Sequence, residues 1–201
     1  MKKITALERS LLLITGLLAA YQIAVGIEGA NALAIICYTI AFGVLMVAGL
    51  LLIIFGYDIL ESSLVVIAAT IVPLSLSLGL VIEYLSAYRE AYLWFVLLGL
   101  AAVVITRTLS SPMVATLVLA FAHGVSGLVI FGLPILLSLR GQASPGFALV
   151  GVGGGLIGIA GLLLSLLKTG KPILSKDTIL KLFPGLLLLT TSAFVAGFAL
   201  A

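Results

Sequence analysis

Long apolar runs follow one another through almost the whole chain, and the charged residues are confined to short gaps between them. Because a helix needs about 20 apolar residues to cross a bilayer, and only 8% of the residues are charged, these runs predict membrane-spanning helices. The sequence therefore predicts an all-α integral membrane protein, one domain over residues 1–201, whose immediate surroundings are the lipid bilayer. The seven runs that we count lie at roughly 10–27, 31–56, 59–85, 90–108, 112–138, 146–167 and 179–200.

The basic residues predict the orientation of these helices. With a cytoplasmic N-terminus, eight of the ten lysines and arginines lie inside, whereas Arg89 and Arg140 lie outside. This bias predicts a multi-pass protein of a cell membrane with its N-terminus in and its C-terminus out. The same distribution argues against nucleic acid as a partner, because the basic residues form no phosphate-binding face. The eight inside residues are Lys2, Lys3, Arg9, Arg107, Lys168, Lys171, Lys176 and Lys181.

A short segment recurs within the chain. Residues 48–52 read AGLLL, residues 160–164 read the same, and Pro73 recurs at a similar spacing as Pro184. If this echo is a repeat, helices 1–3 and 5–7 are related, parallel units and helix 4 is a linker, which is a plan known among transporters. The alternative is a chance match in sequence rich in leucine and glycine.

Small residues recur at helical spacing. They do so at Gly16, Ala20 and Ala24, at Gly151 and Gly155, and at Ala193 and Gly197. Small residues let helix backbones approach closely in lipid, so these stripes predict contact faces within the bundle, or with a second copy or a membrane partner.

Polar residues form a stripe on the third helix. Ser63, Thr70 and Ser77 recur every seven residues and so share one face, near Pro73, whose ring frees the Ala69 carbonyl from its helical bond. Hydroxyls and a freed carbonyl can line a polar path, so we expect all three hydroxyls to face the interior. The alternative is that the hydroxyls bond their own helix and the proline only bends it. Glu61, near the start of this helix, is either a solvated interfacial residue or a carboxylate that handles protons or cations.

The only histidine, His123, lies one turn before Ser126 in an apolar run. Residues 124–127 read GVSG, which is similar to the GxSG around the serine of rhomboid proteases. Such an enzyme needs a histidine on a second helix, and this chain has none to supply. His123 is therefore predicted to be a neutral, hydrogen-bonded interior residue or, together with Ser126, part of a polar path.

These observations predict a protein without catalysis. A single histidine and a single cysteine provide neither a haem site nor a zinc site, so we expect no cofactor and no metal. The first expectation is a small transporter or channel with a polar path along helix 3, formed by Glu61, Ser63, Thr70, Pro73, Ser77, His123 and Ser126. The alternative expectation is a non-catalytic accessory subunit of a larger membrane complex.

Overall fold

Each apolar run of the sequence forms an α-helix. The structure is a computed structural model that describes residues 4–168 and 173–201. All seven helices are long and apolar enough to cross a membrane, which confirms the predicted all-α, seven-helix class. Lys2, Lys3 and Lys171 lie outside the described residues. The helices are α1 (Ala6–Val25), α2 (Ala32–Phe55), α3 (Ser63–Tyr84), α4 (Arg89–Leu109), α5 (Pro112–Leu139), α6 (Ala148–Lys168) and α7 (Lys176–Ala199).

Local capping explains where three helices begin earlier or later than their apolar runs. Thr5 and Glu8 form a capping box, in which the Thr5 N–H donates to the Glu8 carboxylate at 2.8 Å, so α1 includes charged residues before the run. Ser175 likewise caps α7, because its hydroxyl accepts from the Thr178 N–H at 3.2 Å. Between α2 and α3, Gly56 has a φ of 77° and opens a 3-10 turn, so α3 begins at Ser63.

Six of the helices pack as a closed ring. α1, α2 and α3 are successive neighbours, as are α5, α6 and α7, and contacts of α1 with α7 and of α3 with α5 close the ring. α4 lies outside the ring against α3 and α5. Neighbouring helices in the chain run antiparallel, so the starts of α1, α3, α5 and α7 share one side of the bundle, which we call the N-side. The opposite end is called the C-side.

Aromatic side chains fill the C-side half of the ring. Phe42 of α2 packs edge-on against Phe194 and Phe198 of α7, with ring centroids 6.4 and 6.2 Å apart. Phe147, which precedes α6, continues the cluster towards Tyr84 of α3 at 5.0 Å. These rings are large apolar groups that exclude water from this part of the interior.

The small-residue stripes lie at helix contacts, as predicted. A Cβ built on Gly151 would come within 2.5 Å of the Phe131 carbonyl oxygen of α5, and one on Gly197 within 2.6 Å of the Val150 backbone nitrogen of α6. α6 therefore approaches both of its neighbours at backbone distance, which is the geometry that small residues permit. Ala24 differs, because it is exposed at the end of α1.

The two halves of the ring resemble each other only in outline. Pro73 and Pro184 both lie inside their helices. The two copies of the recurring segment have different surroundings, because Gly49 is buried and a Cβ built on it would lie 3.4 Å from the Leu12 carbonyl oxygen, whereas Gly161 is exposed and its Cβ position has no neighbour within 4 Å. The repeat stays a prediction, and so does the cytoplasmic position of the N-terminus.

Because α6 and α7 approach closely, adding one methyl group at their contact is predicted to destabilise the fold strongly. Gly197→Ala is expected to lower the free energy of unfolding by about 1–3 kcal/mol, because the new Cβ meets backbone that cannot rotate away. Gly185→Ala on the same helix is the matched control, since nothing lies within 4 Å of its Cβ position. Thermal unfolding in detergent compares the two. Equal melting temperatures for both variants would contradict the packing described for these helices.

Candidate functional site

Polar side chains gather where α3, α4 and α5 meet. We call this region the seam and define it by six residues that share faces or lie close together. The seam is the part of the apolar bundle where polar groups from three helices come together at membrane depth, so it is the candidate site. Its residues are Thr70 and Ser77 of α3, Tyr92 and Arg107 of α4, and His123 and Ser126 of α5.

The hydroxyl stripe of α3 is buried over only part of its length. Thr70 and Ser77 are both fully buried. Ser63 is exposed, so the expectation that all three hydroxyls face the interior is wrong at this residue. Ser63 is the first residue of α3, at the N-side end of the helix, whereas Thr70 lies about two turns further along it.

The buried hydroxyls of α3 donate to their own helix. Thr70 donates to the Val66 carbonyl at 2.8 Å, and Ser77 donates to the Pro73 carbonyl at 2.6 Å. Pro73 is half-buried inside α3, one turn before Ser77. These bonds use the hydroxyl protons but leave the oxygen lone pairs, so both residues can still accept a hydrogen bond from another group.

Three hydroxyls from three helices converge deep in the seam. The Tyr92 hydroxyl lies close enough to the hydroxyls of Ser77 and Ser126 to interact with both. Ser126 is fully buried, and within residues 4–168 and 173–201 neither its Oγ nor the Tyr92 Oη reaches a partner at hydrogen-bonding distance and angle. Buried hydroxyls are rarely left in this state, so the cluster has unused capacity to bind a polar group.

His123 and Arg107 extend the seam towards the N-side. The His123 Nδ1 donates to the Leu119 carbonyl at 3.1 Å, because a carbonyl can only accept, and this leaves Nε2 free of that bond. His123 is half-buried, and the guanidinium of Arg107 is close enough to act on it electrostatically. The Arg107 Nε is buried and has no hydrogen-bond partner within the described residues.

The remaining predicted site residue, Glu61, lies apart from the seam. It is exposed on the N-side, in the 3-10 turn before α3 rather than inside the helix, and its carboxylate is 3.7 Å from the Lys176 ammonium of α7. This position agrees with the interfacial reading, a carboxylate near a lysine. An exposed pair of this kind contributes little to stability.

Sequence reasoning missed Tyr92 and Arg107. It used Arg107 only as one of the basic residues that predict orientation. Helical spacing was the available signal, because residues 92, 96, 103 and 107 are separated by four, seven and four positions and therefore share a face. Val96 and Val103, between the two polar residues, are buried, which makes this the inward face of α4.

The described residues bring no three histidine, cysteine, aspartate or glutamate side chains together in a group that could hold a metal ion. No protein-family model, curated protein or solved structure matches this chain. Its function therefore has to be inferred from the seam and the outer surface of the bundle.

His123 is expected to be dispensable for stability. Among the described residues, its imidazole bonds only the Leu119 carbonyl of its own helix. That carbonyl also accepts the backbone N–H of residue 123, so it keeps a hydrogen bond when the imidazole is removed. His123→Leu and His123→Gln should therefore both unfold within about 1 kcal/mol of the wild type, measured by melting in detergent. A loss of more than about 2 kcal/mol for leucine alone would mean that the imidazole has a further partner.

Proposed function

We propose that this protein is a small, non-catalytic membrane transporter or channel whose solute path follows the seam. The observation that carries the proposal is the convergence of Ser77, Tyr92 and Ser126, from three different helices, with bonding capacity unused among the described residues. A buried hydroxyl without a partner costs about 1–3 kcal/mol. Such a cost at membrane depth is typical of a solute or proton path.

The order of residues along the seam supports a path rather than an isolated pocket. Arg107 is near the N-side end of α4, and Tyr92 is fifteen residues away near its C-side end, which is about 22 Å at 1.5 Å per residue. His123 and Ser126 lie between these two levels on α5. Polar groups thus occur from one membrane boundary to near the other, while the aromatic cluster closes the neighbouring part of the bundle.

Water access to the seam tests this proposal without knowledge of the solute. In a Cys37→Ala background, cysteine is introduced at Thr70, Ser77 or Ser126, and the protein in liposomes is treated with a small, neutral, water-soluble thiol reagent. We expect cysteines at seam positions to react about tenfold faster or more than a cysteine at Thr190, a difference of about 1.4 kcal/mol in access.

Thr190→Cys is the matched control because Thr190 is almost fully buried and its hydroxyl also has no hydrogen-bond partner within the described residues, but it lies on α7 outside the seam. Equal, slow reaction at Thr190 and at every seam position would contradict a solute path.

The outer surface of α4 favours a second candidate function, an accessory subunit of a membrane complex. In the apolar 18-residue stretch of α4 that is long enough to cross a membrane, only 6% of the residues are buried, whereas in that of α3 56% are buried. α4 and α5 also form an open apolar groove of about 480 Å3, with Gly99, Ala102 and Ala122 among its lining residues. Small residues in an uncovered groove are typical of helix association in lipid.

A photo-crosslinking amino acid at Leu98, in this groove, tests the second candidate in native membranes. If α4 docks a partner, Leu98 is expected to crosslink to one protein in stoichiometric amounts. The same probe at Leu13, an exposed residue of α1, is the control. Equal crosslinking of lipid from both positions would contradict docking through α4.

A further inference from the structure

The acidic residues are all absent from the seam. All seven lie within the described residues, in turns or in the first or last turn of a helix, where their charge is near the membrane boundary. Arg107 is therefore the one residue with a permanent charge on the seam, and the seam has no carboxylate to balance a cation. The seven acidic residues are Glu8, Glu28, Asp58, Glu61, Glu83, Glu90 and Asp177.

The unused hydrogen-bonding groups of the seam are able to donate. The Arg107 Nε can only donate, and the hydroxyls of Tyr92 and Ser126, which have no partner at hydrogen-bonding distance and angle among the described residues, can donate or accept. The protons of Thr70 and Ser77, in contrast, are already bound by backbone carbonyls. A ligand that accepts hydrogen bonds can therefore be bound by all three groups, whereas a cation would be repelled by the Arg107 charge.

We propose that the seam selects small anions and that chloride is a sufficient probe of this selectivity. Arg107 attracts the anion at the N-side, and the hydroxyls of Tyr92 and Ser126 donate to it further towards the C-side. A hydrogen-bond donor binds a negatively charged ion more strongly than it binds a neutral acceptor. The low dielectric of the protein interior strengthens this preference. This selectivity rests on the solute path proposed above.

Ion flux into liposomes tests the proposal. The full-length protein is reconstituted into sealed vesicles, and a voltage-sensitive dye reports the charge movement driven by a chloride gradient or, separately, by a potassium gradient. We expect the chloride gradient to generate a potential and the potassium gradient to generate none. Impermeant counter-ions in each case ensure that only the tested ion carries current.

Three seam variants and one control variant test whether the flux depends on the seam. Arg107→Gln is expected to lower chloride flux about tenfold, which corresponds to about 1.4 kcal/mol, because the attracting charge is removed. Arg107→Lys keeps the charge and is expected to keep most of the flux. Tyr92→Phe removes one donor and is expected to lower flux. Tyr38→Phe is the control and should leave flux unchanged. Tyr38 also has a buried hydroxyl without a hydrogen-bond partner among the described residues, but it belongs to α2. Melting temperatures in detergent identify any variant that is simply unfolded.

The outcomes separate this inference from the proposed path. Potassium flux that depends on the seam residues would overturn anion selectivity and leave the path intact. Absence of ion flux combined with fast thiol labelling in the seam would also overturn it, since the path would then carry a neutral solute. Absence of both flux and labelling would overturn the path itself. Chloride flux that is equal in the wild type, Arg107→Gln and Tyr92→Phe would mean that chloride does not pass through the seam.

Discussion

The backbone polar groups of this protein have to be bonded within the chain, because lipid offers no hydrogen-bond partners. Seven apolar runs meet this requirement by forming helices, whose interior N–H and C=O groups bond one another. The requirement is hardest to meet at helix ends, and several ends have side-chain caps. Thr5, Asn31 and Ser175 each accept from a backbone N–H of the first turn. The positions of the helices then follow from how closely their backbones can approach.

Hydroxyl groups of the seam differ from the backbone groups in that some of them have no hydrogen-bond partner among the described residues. Most buried hydroxyls of the bundle satisfy themselves on their own helix, as Thr15, Thr70 and Thr191 do, and such bonds cost little. Tyr92 and Ser126 do not, and neither do Tyr38 and Thr190 elsewhere in the bundle, but Tyr92 and Ser126 lie close to each other on different helices. Phenylalanine and alanine at these positions would remove the cost without a change of shape. The proximity of these two hydroxyls inside an apolar bundle, with Arg107 at the N-side end of the same seam, is the physical basis for assigning the seam a role beyond packing.

Composition and the spacing of apolar runs were enough to predict the class and the number of helices. Helix ends were predicted less well, because the start of α3 depends on the backbone conformation of Gly56 and the start of α1 on a capping box that includes a charged residue. Within the site, the seven-residue spacing correctly placed Thr70 and Ser77 in the interior. It failed at Ser63, because periodicity gives the direction of a side chain but not whether a neighbouring helix reaches it. The spacing of Tyr92 and Arg107 with two valines predicts one inward face of α4, but which helices that face contacts is a tertiary property that the local pattern does not contain.

The most direct test of the seam is anomalous diffraction from crystals of the protein grown in bromide. Bromide resembles chloride in charge and hydrogen bonding, and its anomalous signal distinguishes it from water. The account predicts a bromide peak within hydrogen-bonding distance of the Tyr92 and Ser126 hydroxyls, lost in crystals of Tyr92→Phe. A well-ordered map in which these two hydroxyls bond only each other, with no ion or water beside them, would contradict it.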